Sequence, residues 1–157
     1  MTTFDKSSIR AFRFVRCSFD AETGVARLVY AFDEGPELTE TVTIPGAPFA
    51  LDATRAQAVE HAVRLLHLIT GVSYYKAAVP NEIRIEGYAI DAATAVLMEQ
   101  VYVHGLGEFA YRNGLSLHGR VRFPVAAQAP APAAAAGLRE HALVAIGGGK
   151  DSLVSIE

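Results

Sequence analysis

The chain has one cysteine, Cys17, in 157 residues. A single thiol cannot form an internal disulfide, and no Cys/His spacing reads as a zinc site. Positive charge is not in excess either. The 14 Lys and Arg stand against 17 Asp and Glu, a formal net charge of −3, which gives no electrostatic reason to expect a nucleic-acid partner. Long apolar runs are missing, and so is a charged-then-apolar leader, so neither a membrane span nor a signal peptide is expected. A cytoplasmic protein is the default. Hydrophobic residues make up 51% of the chain and charged ones 20%, enough to build a core in one domain, or in one domain plus a fragment of another.

Three segments rich in strand formers open the chain. Residues 9–17, IRAFRFVRC, place Phe12 and Phe14 on one side and basic residues elsewhere; GVARLVYAFD at 24–33 and ELTETVTIP at 37–45 follow. Turn residues separate them, DAETG and DEGP, which predicts a three-stranded antiparallel meander that Pro45 and Pro48 end. A helical period then takes over from residue 52 to 69. Val59, Ala62, Val63, Leu66 and Ile69 recur at core spacing, while Arg55, Glu60 and Arg64 point outward. Asp52 or Thr54 would cap its start and Gly71 its end. VSYYKAAVP reads as a loop or short helix, and EIRIEGYAI as a short strand. A second long helix is expected after Asp91, with Gly105 and Gly107 marking a close backbone approach or a break. Phe12, Phe14, Val59 and Leu66 are expected in the core.

Residues 125–137, VAAQAPAPAAAAG, carry no charge and no period, and read as a semi-rigid Ala/Pro linker. A first domain over 1–124 is therefore expected, and something new over 138–157: a strand at 141–146, three glycines, and a helix start. Glycines there let backbone amides approach phosphate oxygens, and the helix adds its positive end. A Walker A loop needs Ser or Thr after the Lys, but Asp151 follows Lys150. The dinucleotide pattern fails at its third glycine, where Ser152 stands. The run Gly147-Gly148-Gly149-Lys150-Asp151-Ser152 instead resembles the S-G-G-x-D-S loop of the N-type ATP pyrophosphatases, with glycine in place of the leading serine. That resemblance implies ATP and magnesium as cofactors. The amides of Gly148 and Gly149 and the Ser152 hydroxyl would hold phosphate, Lys150 would offset charge, and Asp151 would help place magnesium.

Three blocks together carry a wider resemblance: LLHLITGVSYYKAAVP at 65–80, VYVHGLGEFAYRNGL at 101–115, and the closing AIGGGKDSLVSIE. In order and spacing they are similar to the amino-terminal part of the UDP-N-acetylmuramoyl-L-alanyl-L-glutamate epimerases. The resemblance implies ATP-dependent inversion of the terminal glutamate of a UDP-linked muramoyl dipeptide, in peptidoglycan precursor synthesis. Adenylating the α-carboxylate removes its charge and lets the carbonyl delocalise a carbanion, so that a modest base can take the α-proton. Cofactor-independent glutamate racemases use two opposed thiols, and Cys17 alone does not supply that pair.

Other residues remain open to two readings. Ser73, Tyr74, Tyr75 and Lys76 form a polar-aromatic cluster after a helix. Either Lys76 meets the diphosphate or carboxylates of the substrate, or two tyrosines pack at a domain edge beside a solvated lysine. Glu108 and Arg112 suit a surface ion pair, unless Arg112 and Asn113 recognise substrate or phosphate. His61 and His67 do not share a helix face, so a metal pair is not expected, and His104, His118 and His141 stand alone; no base is named among them.

The expected fold is thus α+β, a small antiparallel sheet with two helices, followed by the first strand–loop of a truncated α/β (HUP-like) nucleotide-binding domain. A strand–loop of this kind needs further strands to bury it, so the 157 residues are expected to be incomplete and not to turn over substrate alone. The alternatives are another adenylating enzyme of the same loop class, an amide ligase or sulfur transferase, and a non-catalytic binding or assembly domain.

Overall fold

The computed structural model describes residues 5–128 and 137. β1 (Ala11–Asp20) and β2 (Val25–Phe32) form a hairpin, and β3 (Leu38–Thr43) adds antiparallel to β2. The first turn is built by Asp20, whose carboxylate accepts from the Glu22 amide at 3.0 Å and the Thr23 hydroxyl at 2.6 Å. Gly24 completes it at φ 70°, and a Cβ there would lie 2.4 Å from the Ile44 carbonyl oxygen. Only glycine fits that turn.

Register and side-chain parity explain the core. Phe12 pairs with Phe32 and Phe14 with Tyr30, then the ladder slips between Phe14 and Arg16, and Cys17 pairs with Leu28. The slip is a bulge at Val15 that shifts parity. Phe12, Phe14, Cys17 and Phe19 therefore face one side together with Ala26, Leu28, Tyr30 and Phe32. A strict two-residue alternation would have thrown Cys17 and Phe19 outward.

The expected three-stranded antiparallel sheet is corrected on one point. β4 (Glu82–Ile85) pairs parallel to β1, Ala11 with Glu82 through Phe14 with Ile85, giving a mixed sheet in the order β3-β2-β1-β4. A parallel partner needs a crossover, and the helices between β3 and β4 supply it. The free edge of β1 offers backbone groups that must pair or stay wet, and β4 covers the half beside the buried Phe12 and Phe14.

α1 (Ala53–Thr70) begins at Asp52, whose carboxylate accepts from the Arg55 amide at 2.8 Å. Its buried stripe is Val63, His67 and Leu68, with Val59 and Leu66 half-buried, whereas Ile69 stays 46% exposed and Ala62 also faces solvent. The stripe is rotated from the one the apolar pattern predicts, because a histidine takes a core position. His67 is fully buried. Its Nε2 lies 3.0 Å from the Val29 carbonyl oxygen, which can only accept, so the proton sits on Nε2 and Nδ1 accepts from the Tyr88 hydroxyl at 3.1 Å. Burial pushes the pKa of His67 down to about 4, and the Val29 bond opposes this only in part.

α2 (Val72–Tyr75) follows directly through Gly71, which keeps helical angles, φ −55° and ψ −23°, and is no left-handed cap. Its glycine identity has another cause. A Cβ at 71 would sit 2.5 Å from Cε1 of Phe14 and 2.9 Å from the Tyr102 hydroxyl. The expected long second helix is two: α3 (Ala92–Gly105), capped by Asp91, and α4 (Gly107–Arg112). The break falls at Leu106, at φ −99° and ψ 12°, whose side chain is buried. Nothing lies within 4 Å of a Cβ built at Gly105 or Gly107, so these glycines mark a break and not a close approach. Past α4 the chain returns along α3. Val121 and Phe123 are buried, with Phe123 5.1 Å edge-on to Tyr102, and the Ala126 amide donates to the Ile90 carbonyl at 3.0 Å.

Two stability predictions follow from this packing. Gly71→Ala forces a methyl into Phe14 and Tyr102 and should cost about 2–4 kcal/mol in urea unfolding. Gly105→Ala, into open space at the end of α3, should be neutral or gain up to about 1 kcal/mol. For His67 the fold requires the neutral ring, with a pKa depressed from 6.5 to about 4. Only the unfolded chain takes up a proton between those values. Stability is therefore full above pH 6.5 and falls by about 2–3 kcal/mol as pH drops towards 4. His67→Gln should lower stability at pH 7 and remove that slope, which thermal melts at pH 7.0, 5.5 and 4.5 would read.

Candidate functional site

The segment from α2 to β4 is held rigidly against the core, and two grooves open beside it. The Tyr75 side chain is fully buried and its hydroxyl donates to the Pro80 carbonyl oxygen at 3.0 Å, while the Val79 amide donates to the Tyr75 carbonyl at 2.9 Å. Val79 between them adopts φ 51°, a left-handed conformation that a β-branched residue rarely takes. Burial pushes the Tyr75 hydroxyl up to about 12, so it stays a neutral donor. Tyr74 stacks on Tyr30 at 4.9 Å and its hydroxyl donates to Glu40 at 2.9 Å; that bond, helped by partial burial, raises its pKa.

The first groove, about 740 Å³, is lined by Ser73, Lys76, Phe109, Glu108 and Arg112. Ser73 and Lys76 are exposed. Glu108 and Arg112 pair one helical turn apart at 2.9 Å, both largely in solvent, a pair worth about 0.3–0.5 kcal/mol. The second groove, about 610 Å³, shares Lys76 and Phe109 and adds Lys6, Arg10, Glu82, Asn113 and Arg120, with Val79 and Pro80 in its wall. The Asn113 amide donates to the Phe109 carbonyl at 2.8 Å. Glu82 is engaged through both carboxylate oxygens by Arg84, at 2.7 and 3.0 Å, which lowers its pKa.

The structure therefore gathers Ser73, Lys76 and Arg112 in one groove and Asn113 in its neighbour, with Lys76 bordering both. Tyr74 and Tyr75 line neither. Tyr75 instead fixes the loop that forms the wall. Lys6, Arg10 and Arg120 are residues that sequence reasoning did not single out. Nothing local marks them: Arg120 and Arg122 look alike in HGRVRF, yet Arg122 pairs with Glu99 at 2.8 Å and Arg120 has no ion pair among the described residues. Gly147, Gly148, Gly149, Lys150, Asp151 and Ser152, the expected phosphate loop, lie outside the described residues.

Cys17 borders a third groove of about 510 Å³ with Arg16, Glu60, Arg64 and Tyr88. Burial pushes its thiol up to about 11, so it is a weak nucleophile at neutral pH. Among the described residues, no three His, Cys, Asp or Glu side chains converge to hold a metal ion, and no helix is long and apolar enough to cross a membrane.

Comparison with known proteins agrees with the three sequence blocks. The chain is 71% identical over all 157 residues to a UDP-N-acetyl-alpha-D-muramoyl-L-alanyl-L-glutamate epimerase of Xanthomonas oryzae pv. oryzae, of which it covers 35%. Proteins of the same name from Salinispora tropica and a Micromonospora species are 38% and 39% identical over 94% of this chain, which covers 33% and 34% of them. The chain thus spans about a third of the length of these curated relatives. No solved structure matches it. A family profile described as the MurL N-terminal domain matches residues 3–157, and the chain belongs to that family.

Proposed function

We propose that this chain is the amino-terminal part of an epimerase that converts the terminal L-glutamate of UDP-N-acetylmuramoyl-L-alanyl-L-glutamate to D-glutamate. The observation that carries this is the 71% identity, over all 157 residues, to a relative of that name. In this reading ATP activates the glutamate carboxylate as an acyl-adenylate, which acidifies the α-proton. Residues 147–152 would hold its phosphates, with magnesium near Asp151, on the resemblance of that run to the ATP-pyrophosphatase loop. The described part supports a binding role and not the proton transfer. The three carboxylates lining its described grooves, Glu60, Glu82 and Glu108, are each engaged by an arginine, and His67 is committed in the core between Val29 and Tyr88. Lys76, Ser73, Arg112 and Asn113 offer donors to an anionic substrate.

The test is a hybrid in which this chain replaces the matching third of the Xanthomonas oryzae relative. The hybrid, the relative and the 157-residue chain are each given ATP, magnesium and the UDP-linked dipeptide, and the products are hydrolysed for chiral analysis. D-glutamate should form with the hybrid only when ATP is present, and not with the 157-residue chain. A hybrid that makes none where the relative does would overturn the reading. Release of AMP without D-glutamate would point to a different adenylated substrate.

A further inference from the structure

We infer that the second groove, bounded by Lys6, Arg10, Lys76 and Arg120, is a binding site for the diphosphate of a nucleotide-linked ligand. This deepens the proposed function, on which the identification of that ligand as the UDP end of the substrate rests.

The charges single out this place. Seven of the described arginines are in ion pairs: Arg13, Arg16, Arg55, Arg64, Arg84, Arg112 and Arg122. The described Lys and Arg without an ion pair are Lys6, Arg10, Arg27, Lys76 and Arg120, and all but Arg27 line this groove. Its only carboxylate among the described residues, Glu82, is bound by Arg84 through both oxygens. In a chain of formal charge −3, four uncompensated cations around one 610 Å³ cavity form a local positive field.

A second observation is independent of charge counting. The Nε of Arg120 is buried and has no hydrogen-bond partner, the only such side-chain nitrogen or oxygen among the described residues. Buried donors are almost always paired, so Arg120, which lines this groove, carries hydrogen-bonding capacity that the fold itself leaves unused. The wall beside it is held by strain: Val79 sits at φ 51° with its loop tied at both ends by Tyr75, and residues kept in such conformations cluster where ligands bind.

The ligand's chemistry follows from number and shape. A single carboxylate would leave most of the four cations unbalanced. A diphosphate carries at least two charges on oxygens that can bridge donors brought from β1's approach, the α2 loop and the segment after α4, and arginine matches phosphate with paired donors. Val79, Pro80, Phe109 and Leu115 add apolar surface for the attached nucleoside. On this assignment the described part grips the nucleotide end of the substrate and leaves the glutamate to reach the remainder of the enzyme.

Calorimetric titration of the 157-residue chain with UDP, ADP, inorganic pyrophosphate and L-glutamate tests the site directly. UDP should bind, pyrophosphate should compete with it, ADP should bind more weakly, and L-glutamate should do neither. Arg120→Gln and Lys76→Glu should each weaken UDP at least tenfold; Lys76 is exposed, so its variant keeps the fold if Arg120→Gln does not. Arg27→Gln, an exposed and equally unpaired arginine outside the groove, should bind as the parent does. No UDP binding, equal binding by Lys76→Glu, or competition by L-glutamate as strong as by pyrophosphate would each overturn the assignment. ADP binding as tightly as UDP would keep a nucleotide-diphosphate site and overturn its assignment to the UDP end of the substrate. In the hybrid, Lys76→Glu should raise KM for the UDP-linked dipeptide with little change in kcat. D-glutamate formation with an unchanged KM would leave the epimerase intact and reject this groove, whereas UDP binding without D-glutamate formation would do the reverse.

Discussion

The last turn of α1 is fixed from three directions, and the rest of the structure depends on it. From the sheet, the Tyr30 hydroxyl donates to the His67 carbonyl at 2.9 Å, and the His67 ring donates back to Val29 at 3.0 Å. From α3, the Tyr102 hydroxyl donates to the Leu68 carbonyl at 2.8 Å. Underneath, Gly71 lets the Phe14 ring approach where any side chain would collide. The final turn of a helix leaves carbonyls short of helical partners. Here the His67 carbonyl, which also accepts from the Gly71 amide at 3.1 Å, takes a second bond from the Tyr30 hydroxyl, and the Tyr102 hydroxyl takes up the Leu68 carbonyl. Because those donors are rigid aromatic side chains already buried in the core, the helix can neither slide nor rotate without leaving several polar groups unpaired at once.

That fixed turn sets the geometry of everything downstream. Gly71 leads straight into α2, Tyr75 on α2 is buried against Phe12 and Tyr102, and its hydroxyl holds Pro80. Pro80 sits just before β4, whose parallel pairing with β1 closes the sheet edge. The loop carrying Lys76 to Val79 is therefore suspended between two points of the core, which is how a β-branched residue is kept at φ 51°. A groove built on such a loop is formed before a ligand arrives, so binding there does not have to order the wall.

The sequence made local features legible and left non-local ones hidden. The three strands, the Asp52 cap and the interruption near Gly105 are readable because each depends on residues within a few positions. β4 is readable as a strand, but its parallel partner is 71 residues away, and nothing in EIRI says whether the neighbour runs with it or against it. The stripe on α1 is misjudged at Ile69 because a polar ring, His67, occupies the core position that apolar counting assigns elsewhere. α3 has no readable face at all: Val96 and Leu97 are as apolar as the buried Ala95 and Met98, yet remain 59% and 53% exposed. The same division holds at the site. Ser73 and Lys76 stand out because they interrupt apolar text beside tyrosines. Lys6, Arg10 and Arg120 matter through which carboxylates they fail to meet, and ion pairing is a property of the folded surface.

The pairing pattern also separates two kinds of work. Away from the second groove every described arginine but Arg27 is in an ion pair, as in the Arg16–Glu37 pair at 2.6 Å on the sheet and Arg64, which pairs with Glu60 while lying over Tyr88. Around the second groove Lys6, Arg10, Lys76 and Arg120 are left without an ion pair. Among the described residues, the carboxylates lining the two grooves beside α2, Glu82 and Glu108, each meet an arginine, and no histidine lines either groove. Unpaired cations beside a carboxylate already held by Arg84 suit gripping an anion more than removing a proton from carbon, which needs a base within hydrogen-bond reach of the reacting atom. On the proposed reading, gripping the nucleotide end of the substrate away from the carbon to be inverted would let binding energy be used for positioning.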